Sequence, residues 1–380
     1  MSDIVVVGGG LAGGSAAALL AQAGKRPLLL EREREPRDKI CGEFLSTEAQ
    51  AHLAHLGFDV AALGGSPIDK VRLVVGDRGV ESPLPFKALG LTRRRLDAAL
   101  LDYAAGQGAE IARGVAARSV FAGAVATTDG DLRPAKLLLA SGKHDVRGAR
   151  RDTRGTLTGL VGFKSYFRVD AEVRRAMAGY VEVVLFEGGY AGLQLVEGGL
   201  ANLCLLVGRE RLDDAGRNWP SLLQTLLAEP HLGRRLAAAE QVGDHPLSIA
   251  DVPYGFIHHD RQDAPEGFFR LGDQAAVIPS FSGDGMSIAL HSGRLAAQAV
   301  LAGASARDYH QRLRRDVRRQ IGLAVNLQRW ANSATGRLAT VGALSLAPGL
   351  MRMIAARTRL PEAALRRSGL TTTPVVEAGR

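Results

Sequence analysis

Gly8, Gly10 and Gly13 follow one another as G-x-G-x-x-G, and Glu31 closes the next apolar run. Each glycine has a mechanical task in holding a pyrophosphate. Gly8 permits a tight turn, Gly10 lets backbone approach the phosphates, and Gly13 lets a helix sit close on a strand. Leu11 and Ala12 lie between the glycines and share that contact at the helix N-terminus, where free N–H groups favour an anion. Glu31, with Arg32 beside it, is placed to accept hydrogen bonds from ribose hydroxyls. A carboxylate there disfavours a 2′-phosphate, so the nucleotide held permanently is expected to be FAD or NAD rather than NADP.

A second constellation lies late in the chain. Gly272-Asp273 follows a short strand, and Pro279, Gly283, Asp284, Gly285 and Met286 lead into a helix. An aspartate at a strand end can bind polyol hydroxyls. A helix opening at Gly285 would aim its N–H groups and dipole at the N1/O2 edge of a reduced flavin. Only one G-x-G-x-x-G unit has this strand and helix context, so any nicotinamide is a transient visitor.

Other reactive side chains carry two readings. Cys41, in Lys39-Ile40-Cys41-Gly42, is either flavin-adjacent or a small buried turn residue. Tyr190 either faces a substrate cavity or packs on a sheet, and Lys164 either sits above a flavin or is an exposed strand lysine. Cys204 reads as core. His258-His259-x-Arg261 reads as a polar turn without a metal, His291 as a helix residue with a satisfied hydrogen bond, and Ser280 and Ser282 as loop residues near cofactor.

The elements needed to position these groups are legible in outline. Ile4 to Val7, Ser15 to Ala23 and Leu28 to Glu31 read as strand, helix and strand. Helices are expected over 91–106, 220–240 and 285–300, with helical segments on to about Ala356. Strands are expected at 71–75, 110–119, 122–128, 137–140, 162–169, 180–186, 190–196, 201–207, 253–257 and 268–271. The fold class is therefore α/β: a Rossmann-type dinucleotide domain (1–65, 93–155, 262–330) interrupted by a β-sheet substrate domain (66–92, 156–261). A basic helical cap over 331–380 completes it.

The 380 residues have a net charge of +9, and 301–380 alone carries fourteen arginines against four acids. That region could meet an acidic membrane surface, an acidic carrier protein or an anionic substrate, or be a set of solvated helix faces. Nucleic acid is not expected, since no recognition motif accompanies the arginines. Two cysteines exclude a disulfide framework, and the early first strand leads us to expect no signal peptide and a cytoplasmic protein. The uncharged run 338–351 is too short to span a bilayer but suits a greasy pocket or a membrane surface.

With Arg93-x-x-Leu96-Asp97 added to the two glycine motifs, the chain resembles a family of FAD-dependent enzymes. It comprises para-hydroxybenzoate hydroxylase-type monooxygenases, geranylgeranyl reductases and flavin halogenases. The resemblance implies Arg93 near the flavin, Asp273 on its ribityl chain, and a β-sheet roof over the ring; Val115, Ser141 and Gly142 join the implied FAD contacts. The hydroxylases' D-G motif is replaced by Ser141-Gly142-Lys143-His144-Asp145-Val146-Arg147-Gly148, where Lys143, Arg147, Arg150 and Arg151 could receive phosphates. Lys39-Ile40-Cys41-Gly42 resembles the K-x-C-G of the reductases, although their Y-x-W-x-F-P stretch has Gly192 in place of its tryptophan here. The runs C-G-E-F-L-S, G-K-H-D-x-R-G and S-F-S-G-D-G-M-S together are most similar to flavin oxidoreductases encoded beside type III polyketide synthases.

What the resemblance implies first is a monooxygenase hydroxylating a phenolic polyketide or phenolic lipid through a flavin C4a-hydroperoxide. NADPH or NADH would be the transient reductant, and Cys41 and Tyr190 the candidate catalytic residues. The second expectation is a reductase of prenyl or polyene C=C bonds. The third is a flavoprotein without turnover.

Overall fold

The computed structural model describes residues 3–121, 123–260, 266–347 and 349–370. Ala122, Arg261, Pro348 and the chain ends, which some sequence expectations include, lie outside these. A five-stranded parallel sheet runs in the order Phe268–Arg270, Lys136–Leu139, Ile4–Val7, Leu28–Glu31, Glu110–Arg113. Its strands are short apolar runs because both faces are covered. Ile4, Val6, Leu29 and Leu138 pack with the helices Leu11–Gln22, Arg93–Gly106 and Gly285–Leu301. The alternate residues Val5, Val7, Leu30, Leu137 and Leu139 pack with Val120 and Val125 of a small three-stranded sheet.

An eight-stranded mixed sheet forms the second body. Its order is Glu240–Ala250, Leu160–Arg168, Ala201–Gly208, Gly189–Leu195, Gly179–Phe186, Ser66–Val75, Arg78–Gly90, Phe44–Leu45. One face is sealed by short helices, with Phe163, Phe167, Leu193, Leu203 and Leu205 against Leu222, Leu226, Leu232 and Leu236. The opposite face, bearing Leu185, Tyr190 and Leu206, turns toward the dinucleotide-type domain. The helices Ala334–Leu346 and Gly349–Arg357 pack through Val341, Leu344 and Met351 on Val80 and its neighbours, so they cover the far end of that face.

Four local expectations change, the first being that the expected helix 220–240 is two, Trp219–Leu227 and Pro230–Leu236. The strand beside Leu160–Arg168 is Glu240–Ala250, whereas 253–257 makes only isolated bridges at Tyr254 and Ile257. Gly243, Asp244 and Pro246 disguise this strand, and its place at the sheet edge is what tolerates a proline. The expected strand 110–119 is two, Glu110–Arg113 in the parallel sheet and Ala117–Phe121 in the small one. Phe44–Leu45, assigned above to the dinucleotide domain, pairs with Leu89 and Gly90 of the larger sheet.

Close packing at the first crossover rests on two glycines. Gly8 has φ +106°, and a Cβ at Gly13 would fall 1.9 Å from the Gly8 carbonyl oxygen. Gly13→Ala must therefore push the helix off the strand. A loss of about 1–3 kcal/mol is expected, read from denaturant midpoints.

Candidate active site

Two helix N-termini open into one cavity. The Leu11–Gln22 helix begins at Gly10 and the Gly285–Leu301 helix at Asp284, and neither receives a side-chain cap. Their first N–H groups are therefore left for a ligand. The cavity has a volume of about 340 Å³ and runs from Gly10, Leu11 and Ala12 past Gly272-Asp273 and Gly283 to Met286, ending under the large sheet. Cys41, Gly42, Arg93, Gly142 and Tyr190 also line it. Gly42, Gly142 and Gly285 face open space on the side where a Cβ would stand.

Glu31 is buried at the strand end. One carboxylate oxygen accepts the Gly9 N–H at 2.8 Å and the other the Glu33 N–H at 3.0 Å. These features fit an FAD-like group. The glycine crossover and Glu31 suit its ADP part, Asp273 its ribityl chain, and the second uncapped helix its ring edge.

Of the remaining sequence candidates, Gly8, Gly13, Glu31, Arg32, Val115 and Ser141 do not line the cavity. Val115 donates its N–H to the Glu31 carbonyl at 3.1 Å, Ser141 donates to the His144 carbonyl at 2.9 Å, and Arg32 pairs with Glu33.

The loop carrying Cys41 is fixed by a group that sequence reasoning missed. Glu43 is fully buried at φ +59°, unusual for a residue with a side chain. Lys164, itself buried, donates to its carboxylate at 2.5 Å, the Arg93 N–H at 2.8 Å and the Tyr166 hydroxyl at 2.9 Å. Burial pushes the Glu43 carboxyl above its ordinary value, and Lys164 opposes the rise. Gln194 donates to the Glu43 carbonyl at 2.9 Å and Asn202 to the Gly42 carbonyl at 2.9 Å.

Lys164 is thus neither exposed nor free. It faces the loop because Gly162, Lys164 and Tyr166 occupy the strand face opposite the Phe163 and Phe167 core face. That alternation, with an acid directly after Cys-Gly, was the available signal.

Arg93 grips Asp97 with two bonds, at 2.8 and 3.0 Å, and Lys39 reaches the same carboxylate at 2.6 Å. Burial works against the Arg93 charge, but Asp97 and the nearby Cys41 sulfur more than offset it, so the guanidinium is held above its ordinary value. Its side chain therefore stands between the Gly10 corner and the Cys41 thiol.

The Ser141–Gly148 turn is internally tied. Arg151, almost wholly buried, donates to Asp145 at 2.7 Å, to the Lys143 carbonyl at 2.6 Å and to the Asp273 carbonyl at 3.1 Å. Gln274 adds bonds to the Gly142 and His144 carbonyls. Arg151 is thereby spent on the fold and is not a free phosphate receptor, whereas Arg147 and Arg150 are exposed.

Asp284 is buried between Gln320, which donates at 3.0 Å, and Arg359 at 3.4 Å. Burial raises its carboxyl to about 7, against the pull of Arg359. His291 meets Asp316 at 3.0 Å deeper along the same helix.

His258, Asp260 and His310 gather at a separate edge, with ligand-capable atoms within 4.8 Å of one another. There the His310 Nε2 lone pair is taken by the Arg270 N–H at 3.0 Å. The proton of a neutral ring then sits on Nδ1, 2.9 Å from an Asp260 oxygen.

Residues 6–62 match the family model of the NAD(P)-binding Rossmann-like domain. The menaquinone reductase of Mycolicibacterium smegmatis is 28% identical over 80% of this chain and 77% of its own length. A geranylgeranyl bacteriochlorophyll reductase-like protein of Thermoplasma acidophilum superposes with a TM-score of 0.69 at 17% identity, over 97% of this chain and 95% of that one. The myxobacterial chondrochloren halogenase gives a TM-score of 0.70 at 22% identity, over 94% and 90%. The fold is that of the FAD-dependent oxidoreductases and halogenases. The Lys39–Leu45 loop lines the cavity through Ile40, Cys41, Gly42, Glu43 and Phe44, tied to the large sheet by Gln194 and Asn202 and to the Arg93–Gly106 helix through Arg93.

Two outcomes follow. Lys164→Met strands a buried carboxylate and should cost about 3–5 kcal/mol in denaturant unfolding, part of which Glu43→Gln in the same chain restores. Asp284 has a folded value above its ordinary 3.8, so its protonated form favours the fold and stability is lost as pH rises toward about 7. Asp284→Asn should flatten that decline in melting temperature between pH 5 and pH 8 without reversing it.

Proposed function

We propose that this protein is an FAD-dependent reductase that saturates a C=C bond in a long apolar substrate of the polyprenyl-quinone kind, with NAD(P)H as transient reductant. One observation carries the reading. The substrate half of the cavity presents Val71, Leu73, Val181, Val183, Leu185 and Leu206, and Cys41 stands where it meets the cofactor half. No histidine lines the cavity among the described residues, and its two acids are engaged: Glu43 by Lys164, and Asp273 alongside Lys143 at 3.7 Å. A hydroxylase needs a base to draw the proton from its phenol, and this lining offers none that is free.

FAD, when bound, supplies the hydride equivalent. Cys41 Sγ can give the accompanying proton to the neighbouring alkene carbon. Solvent returns the proton to the sulfur, beside the Arg93 guanidinium, once the product has left. The aliphatic walls hold the chain and keep water out. The name of the Mycolicibacterium relative supports the substrate class, since a menaquinone is a quinone ring carrying a prenyl chain.

A second reading, hydroxylation of a phenolic lipid, draws on the ring-binding end. Tyr190 is buried next to Ser280, and Ser280 donates to the Tyr254 hydroxyl at 2.8 Å. Burial raises both tyrosines, so they stay protonated and can donate to a quinone or phenol oxygen without acting as bases.

Mass analysis of the product separates the two. Reduction adds two hydrogen atoms and hydroxylation one oxygen atom. Under the reductase reading Cys41→Ala slows turnover by about 100-fold or more while FAD remains bound. A product carrying added oxygen, or full turnover in Cys41→Ala, contradicts it.

A further inference from the structure

The C-terminal helices present an apolar surface that the fold itself does not use. Leu346 is 89% exposed, Leu338 65%, Trp330 52% and Met353 40%. These side chains lie on the end of the Ala306–Asn332 helix and on the two helices that follow. The opposite side of the same helices packs on the large sheet through Val341, Leu344 and Met351. Large side chains so exposed in one segment are a cost in water, and they mark a surface meant for contact.

Charge identifies the contact. Between Asp316 and Glu362 the sequence has seven arginines and no acid. Arg329, Arg352 and Arg357 are exposed and flank the apolar residues on both sides, with Arg337 partly exposed beside Leu338. Apolar side chains framed by cations match an anionic bilayer, whose headgroups meet the arginines while leucines enter the acyl boundary. A protein partner binding through leucines would gain nothing specific from so uniform a charge. The helices at 334–346 and 349–367 meet at a bend of 116°, and no single helix among the described residues is long and apolar enough to cross a membrane. The geometry is that of an element lying in the interface.

The same helices also contribute to the wall of the cavity. Trp330, Ala331, Leu344, Met351, Ile354 and Ala355 line it from this side. We propose that the segment from Trp330 to Arg357 docks on an anionic phospholipid bilayer, and that the cavity draws its substrate directly from the lipid phase. The docking stands on the exposed residues alone, whereas the loading role rests on the lipid-like substrate proposed above. The gain is physical: a long prenyl chain passes from acyl chains to aliphatic walls without crossing water.

Co-sedimentation of the full-length, FAD-loaded protein with phosphatidylcholine vesicles, with and without phosphatidylglycerol, tests the docking. Binding to the anionic vesicles should exceed binding to the neutral ones by about tenfold and weaken as salt is added. Leu338→Asp with Leu346→Asp should abolish it, since both positions are exposed and the change leaves the core and flavin absorbance intact. Arg329→Gln with Arg352→Gln and Arg357→Gln should remove the preference for anionic lipid. Wild-type protein left in the supernatant with anionic vesicles at low salt overturns the proposal. So does the double aspartate variant binding as well as wild type, or the apolar face pairing two copies of the chain in solution.

Formation of chain-saturated product from a prenylated quinone separates the two ideas. The aspartate variant should match wild type with detergent-dispersed quinone and fall at least about tenfold with quinone embedded in vesicles. Equal rates from vesicles contradict loading through this face. Wild type inactive in both formats, yet vesicle-bound, defeats the reductase reading and leaves the docking intact.

Discussion

The site depends on one buried ion pair. Glu43 and Lys164 come from parts of the chain 121 residues apart, and each is shielded from water. Such a pair repays its desolvation only when its remaining lone pairs and protons are matched. Here the matching is supplied by Tyr166, the Arg93 N–H and the Lys39 carbonyl, all parts of the same junction. The pair therefore fixes the Cys41 loop against the large sheet and the Arg93–Gly106 helix at once. It also holds a non-glycine residue at positive φ, a strain that the surrounding bonds over-determine.

From that junction the rest of the architecture follows as a division of labour. The parallel sheet supplies two uncapped helix ends and a buried acid, which are polar devices for a charged dinucleotide. The larger sheet supplies a nearly uncharged wall. Neither body alone encloses the cavity. The loop held by Glu43 carries Cys41 into the cavity lining, and Arg93 is fixed on the same lining by the Asp97 fork.

The parts of this arrangement built from local pattern were legible in the sequence. The first crossover, the Gly272-Asp273 turn and the Gly285 helix each combine a periodicity change with residues of special backbone freedom. Long-range polar pairing was less visible. Lys164 looked like an ordinary strand lysine because nothing near it in the chain names Glu43 as partner. Arg151 looked like a phosphate ligand because its three acceptors are two loop carbonyls and Asp145, which composition does not reveal. The strand Glu240–Ala250 was hidden because an edge strand tolerates the glycine, aspartate and proline that usually mark a loop.

In the proposed reduction a hydride equivalent and the Cys41 proton end up on an alkene without oxygen taking part. The most direct measurement is a single turnover without air: the FAD-loaded protein is reduced, freed of excess reductant and mixed with a prenylated quinone. Oxidised-flavin absorbance should return in step with a chain-saturated product, one per flavin. Recovery of the absorbance only after oxygen is admitted, with the prenyl chain unchanged, would contradict it.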